Sequence, residues 1–210
     1  MSAGHFRRSG ALSLAAALVG WSFVSPRLPA SWRAVLQAGV GSLLVLMTRA
    51  PLGLRAPRLR AGLRLGSLVA VPAAGTAVAT ALLPPVRRSM AEREPPATAP
   101  DWLLLRIPLG TVWSEESAFR GALATAGSAA FGERGGRLLQ ASAFGLSHIA
   151  DARATGEPVA ATVLVTGIAG WLFGWLADRS GSLAAPMLAH LALNEAGAIA
   201  VLAVKASNRR

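Results

Sequence analysis

The chain contains no cysteine, which excludes disulfides, thiolate metal sites and cysteine nucleophiles. Charge is also scarce. Only 15% of the 210 residues are Asp, Glu, Lys or Arg, against about 25% in a soluble domain. Acids are the rarest, 10 against 21 bases, and Lys205 is the lone lysine among arginines. An arginine bias of this kind fits a high-GC coding preference at least as well as a chemical demand. No internal repeat or low-complexity segment is present. No basic face is interleaved with aromatic residues either, so the formal charge of +11 does not point to nucleic acid. The bases are scattered between apolar blocks and read as loop charges facing anionic lipid.

Apolar residues are what the chain has instead: 53% of the sequence is hydrophobic and the mean hydropathy is +0.47. A membrane-spanning helix needs about 20 mostly apolar residues, with about 17 as a minimum. The expectation is an all-α, polytopic membrane bundle of about seven spans: Ser9 to Val24, Ser31 to Thr48, Leu65 to Leu83, Asp101 to Gly127, Leu138 to Ala150, Pro158 to Ala177 and Ser182 to Val204. His5, Arg7 and Arg8 before Ala11 to Val19 resemble a signal peptide. Ala30 is a poor cleavage position, however, and the further spans favour a first transmembrane helix that is kept. Arg33 lies at a span end, where it can snorkel to the headgroups.

The segment from Arg49 to Arg64 holds five arginines and no acid, the strongest cytoplasmic marker in the chain. It places the N-terminus inside and the C-terminus outside. Val86 to Pro100, with Pro95 and Pro96, reads as an extended aqueous loop after the stop at Pro84 and Pro85. Gly132 to Arg137 and Asp178 to Gly181 read as turns. Lys205, Arg209 and Arg210 form a basic tail, residues 205–210. Three regions result: N-terminal spans over 1–100, a core over 101–204, and the tail.

The core is the part with chemistry in it. Glu115, Glu116 and Arg120 lie inside an apolar segment, and a carboxylate at membrane depth costs a few kcal/mol unless paired or hydrated. Glu116 and Arg120 are four apart, the favourable acid-before-base spacing. Glu115 is rotated about 100° away on an α-helix. Glu116 and Arg120 therefore read as a structural ion pair, which leaves Glu115 free. Taken singly, His148 reads as an interfacial histidine and His190 with Asn194 as helix-to-helix hydrogen bonding. Taken together, one Glu, two His and one Asn from three spans supply a base, its partner and hydrogen-bond donors, the parts that water-mediated amide hydrolysis requires. Glu195 has no assigned role.

Three blocks carry a family likeness: Glu115-Glu116-Ser117-Ala118-Phe119-Arg120, Phe144-Gly145-Leu146-Ser147-His148 and His190-Leu191-Ala192-Leu193-Asn194. They resemble the EExxxR, FxxxH and HxxxN motifs of the CPBP family (Abi, type II CAAX prenyl endopeptidase), over residues 101 to 200. The resemblance implies a helical intramembrane endopeptidase with a cavity open to one side of the membrane. By that resemblance, Glu115 activates water, His148 holds the same water, and His190 with Asn194 stabilises the oxyanion. Glu116 and Arg120 are the structural pair.

Members are commonly labelled metalloproteases, and Glu115, His148 and His190 could ligate Zn²⁺ with a water in the fourth position. No HExxH is present. The preferred expectation is a glutamate-activated water with no cofactor, and zinc is the alternative. The implied partners are membrane lipids and a membrane-associated peptide or protein substrate, and the implied location is a bacterial plasma membrane. Bacterial members are linked with bacteriocin processing or self-immunity rather than with CAAX proteins. A non-catalytic immunity or scaffold factor of the same fold, or a small transporter, is the rival class. Convergence of Glu115, His148, His190 and Asn194 in one hydrated cavity separates the two.

Overall fold

The computed structural model describes residues 3–95 and 98–208. Pro96, in the expected loop, and Arg209 and Arg210, in the expected tail, lie outside them. The described residues are helical almost throughout. α1 is Ala3–Val24, followed by a 3₁₀ turn at Ser25–Arg27; α2 is Ala30–Thr48, α3 Arg58–Ala81 and α4 Pro84–Glu92. α5 covers residues 99–123 and runs without interruption into α6, Ala124–Ser147. α7 is Ile149–Thr155, α8 Val159–Ser180 and α9 Ala184–Ser207.

Five helices are long and apolar enough to cross a membrane: Arg7–Arg27, Ala30–Thr48, Arg58–Ala81, Val159–Ser180 and Ala184–Ser207. Helices of 24 residues such as α3 and α9 reach about 36 Å at 1.5 Å per residue, enough for a hydrocarbon core of about 30 Å. The two remaining expected spans correspond to residues 99–131 and 133–147. They are separated at Gly132, whose backbone (φ 76, ψ 169) is the one non-helical point inside α6. The left-handed φ suits glycine, and it folds the chain so that Gly136 packs directly on Gly127 and Ser128. The expected polar turn over Gly132 to Arg137 is thus a single-residue break, after which the helix resumes.

Contacts at the helix ends give the bundle two distinct faces. At one, Leu183 N–H donates to Leu52 O at 2.9 Å, and Arg137 pairs with Asp178 at 2.6 Å. At the other, Arg93 meets Glu157 at 3.1 Å and Lys205 meets Glu94 at 3.8 Å, while Arg87 donates to Ser207 Oγ at 3.3 Å. Leu46, Leu68, Val71 and Leu104, each more than 70% exposed, belong to the outer apolar belt. Exposure of that kind is what a lipid-facing surface requires, because lipid tails are as apolar as leucine.

Two expected loops are partly helix. Arg58, Arg60 and Arg64 stand on the first turns of α3 rather than in a loop. Pro84 and Pro85 end α3 but also occupy the first positions of α4, where a missing N–H costs nothing. The loop expected over Val86 to Pro100 therefore begins as a helix.

α5 departs from ideal α geometry. Residues Trp102–Trp113 and Glu116–Leu123 adopt wider π-type turns; Ser114 N–H, for instance, reaches back to Leu109 O. Such widening concentrates at functional sites, and Glu115 lies at the junction of the two stretches.

Small residues set the helix spacing. A Cβ on Gly145 would lie 2.6 Å from Val163 O and 3.2 Å from Gly167 Cα, so α6 and α8 touch backbone to backbone there. Gly39 has nothing within 4 Å. Gly145→Ala should destabilise the protein by roughly 1–3 kcal/mol, the usual cost of overpacking, and Gly39→Ala should not. Thermal unfolding of the two variants in one detergent checks this, and equal melting temperatures would contradict the close approach.

Candidate active site

The site is built around a carboxylate with no exposed side-chain surface, Glu116 on α5. A charge buried this deeply is tolerated only with partners, and Glu116 has two. Arg120, one turn on, places Nη1 3.2 Å from Glu116 Oε1, and neither side chain is exposed. His190 on α9 approaches the same oxygen with Nδ1 at 2.7 Å. The expected pairing of Glu116 with Arg120 is present, and the histidine is an addition that helical spacing within one segment could not reveal.

Aromatic rings close the space around this pair. The Arg120 guanidinium lies 3.9 Å from the Phe144 ring centre and 5.1 Å from that of Phe173. Phe173 also stacks on the His190 imidazole at 5.0 Å. Arg120 Nε, Nη1 and Nη2 are all buried without hydrogen-bond partners, so the cation is held by charge and by ring faces, a combination strengthened by desolvation. Phe144 belongs to the second motif block. Phe173 carried no motif, and only its place in an aromatic run, Trp171-Leu172-Phe173, marks it in the sequence.

These contacts decide where protons sit. Glu116, beside the guanidinium, acts as acceptor, so the His190 proton lies on Nδ1 and Nε2 is turned the other way. Nε2 faces Glu115 Oε2 at 3.8 Å, too long for a direct hydrogen bond. His148 is fixed similarly. Its Nδ1 lies 2.8 Å from Phe144 O, and a carbonyl can only accept, so the neutral ring carries its lone pair on Nε2. It sits where α6 ends and α7 begins, with φ −87 and ψ 0, and packs edge-on against Phe144 at 4.7 Å. Asn194 donates one amide hydrogen to His190 O at 3.1 Å, leaving its second hydrogen uncommitted.

Glu115, His148, His190 and Asn194 all line one cavity of about 930 Å³. Glu116 and Arg120 stay behind its wall, fully buried, while 30% of the Glu115 side chain is exposed. The two adjacent glutamates thus separate into one behind the wall and one facing the space. Glu195 is not among the lining residues. The first hundred residues, read from sequence as apolar helices and a basic loop only, supply a whole wall: Leu18, Trp21 and Phe23 from α1, and Gln37, Val40 and Gly41 from α2.

Zinc does not fit this arrangement. Among the described residues no group of three His, Cys, Asp or Glu could hold a metal ion. Glu115, His148 and His190 share the cavity without forming a ligand set.

Fold and site together define a polytopic helical membrane protein with a polar cavity set among its helices. Residues 97–196 match the family described as type II CAAX prenyl endopeptidase Rce1-like. This segment, which holds Glu115, Glu116, Arg120, His148, His190 and Asn194, is similar to that family, a family of proteases. No curated protein and no solved structure matches the chain.

The pairing of Glu116 with Arg120 makes a stability prediction. Glu116→Gln leaves a buried guanidinium without its counter-charge and should cost roughly 3–5 kcal/mol. Glu116→Gln combined with Arg120→Met should recover much of that loss. Thermal unfolding of both variants in detergent checks it, and a double variant less stable than the single would show that the pair is not coupled.

Proposed function

We propose that the chain is an intramembrane endopeptidase that hydrolyses a peptide bond of a membrane-associated protein or peptide, with Glu115 as the group that activates water. The observation that carries this reading is the shared cavity: Glu115, His148, His190 and Asn194, from three separate helical segments, line the same space. Isolated helix-bonding residues would have no reason to converge in that way.

Each group has a task that its geometry suits. The Glu115 carboxylate and the His148 Nε2 lone pair both accept hydrogen bonds, so together they can hold a water by its two hydrogens and direct its oxygen outward. As that oxygen attacks the substrate carbonyl carbon, its proton passes to Glu115. The resulting oxyanion needs donors. Asn194 offers its free amide hydrogen. His190 offers Nε2–H when it enters the cycle as an imidazolium, with Glu116 as its counter-charge through Nδ1, and it keeps both protons throughout. Collapse of the tetrahedral species breaks the C–N bond, and the proton held on Glu115 goes to the leaving amine. One water is consumed and the enzyme returns to its starting state. The apolar surroundings strengthen each of these electrostatic contacts.

Glu115→Ala should lower cleavage of a membrane-embedded reporter peptide at least a hundredfold, while thermal unfolding and membrane insertion stay as in the wild type. His148→Ala should fall in the same direction. Wild-type rates in Glu115→Ala protein would overturn the assignment. Cleavage should also persist in the presence of chelator, since the reaction as written needs no metal. Loss of activity on chelation, restored by Zn²⁺, would replace the glutamate-only route with a metal-assisted one.

A further inference from the structure

Several hydroxyl groups of the cavity are committed to their own helices. Ser22, Ser114, Ser147 and Thr166 line it, yet each hydroxyl donates to a carbonyl of its own helix. An extended peptide entering the cavity beside α2 and α5 needs partners for its backbone N–H and C=O groups, since leaving them unpaired away from water is unfavourable. Gln37 on α2 differs from these hydroxyls. It is half-buried, lines the cavity, and forms no hydrogen bond with the described residues. Its amide carries donors and an acceptor together, the combination that a backbone peptide unit complements.

Its position relative to Glu115 follows from how α2 lies on α5. Ala34 faces Gly110, with Cβ 2.9 Å from where a Gly110 Cβ would stand, and Gly41 faces Ser114, whose O would lie 2.8 Å from a Gly41 Cβ. The two helices therefore run in the same direction, and Gln37 falls between these contacts. Its Oε1 is 3.6 Å from the same Gly110 Cβ position. Gly110 is five residues before Glu115, roughly 7.5 Å along the axis at 1.5 Å per residue, and an extended chain covers that distance in about two residues at 3.3 Å each.

Resting on the peptidase reading above, we propose that Gln37 is a substrate-binding residue. It pairs with the backbone of an extended substrate one or two residues from the scissile bond. Its contribution would give the N-terminal helices, which lie outside the matched segment, a direct part in holding substrate. Because backbone is what it reads, it would favour a locally unwound segment over an intact helix, whose N–H and C=O groups are already paired.

The probe is an acetyl-capped apolar tetrapeptide aldehyde, whose hydrate resembles the tetrahedral species and fixes the register at Glu115. Its binding to the full chain in detergent is measured by calorimetry, beside analogues N-methylated at each of the two peptide units nearest the aldehyde. Methylation at one of these units should weaken binding to the wild type about fivefold to tenfold, the effect of one lost hydrogen bond. Gln37→Leu should weaken the parent aldehyde by a similar factor and no longer distinguish the methylated analogue. A merely structural role for Gln37 would leave the methyl discrimination intact in the variant, and that result overturns the proposal. So does equal binding of both probes by the wild type, or no binding of either. The peptidase reading is judged separately, by Glu115→Ala. If that variant prefers the aldehyde over the matching primary alcohol as strongly as the wild type does, the water-activation role falls while the Gln37 result stands.

Discussion

A buried carboxylate, Glu116, holds the site together. It has no exposed surface, and it touches Arg120 on its own helix and His190 on α9 through a single oxygen. Removing such a charge from water is expensive, and mutual attraction repays the cost only with good geometry and further partners. The rings of Phe144 and Phe173 supply part of that compensation by facing the guanidinium. Residues from α5, α6, α8 and α9 are thereby committed to one another at one depth. In a lipid environment, where apolar packing supplies no hydrophobic drive between helices, such a commitment can specify which helices meet and in what register.

The same contact reaches outward into the cavity. With Nδ1 of His190 directed at Glu116, Nε2 necessarily faces the side on which Glu115 lies. In the proposed reaction, the fully buried glutamate sets the orientation of a group whose Nε2–H donates to the oxyanion as negative charge develops. Calling Glu116 and Arg120 a structural pair describes one half of this arrangement. The other half is the orientation of an imidazole more than seventy residues away in sequence.

Much of the core was legible in the residues because helical spacing is a local rule. Four-residue steps put Glu116 over Arg120 and His190 over Asn194, and both relations hold in space. The apolar blocks likewise gave the helical class and the approximate number of passes. What local rules could not supply was anything depending on the meeting of distant helices. The Glu116–His190 contact, the place of Phe173 and the wall built by α1 and α2 all arise from packing across the bundle. The π-type widening of α5 was equally hidden, since the same residues fit an ordinary α-helix. Proline misled in one place. Pro84 and Pro85 end one helix and begin the next, and the order of residues alone does not say which role prevails.

The N-terminal half changes most in meaning. From its composition it was only a set of apolar helices with a basic loop. In space, Gly41 permits backbone-level contact with Ser114, next to Glu115, and α1 packs Ala15 and Leu18 into the cluster formed by Ala118, Phe119, Leu123, Ala143 and Phe144. Those helices therefore press directly on the segment that carries the glutamates. A side chain of any size at residue 41 would push α2 away from Ser114 and widen the cavity on that side, altering its shape without touching any of the four polar residues. The family motifs lie in the second half of the chain, but the dimensions of the space they face are set by both.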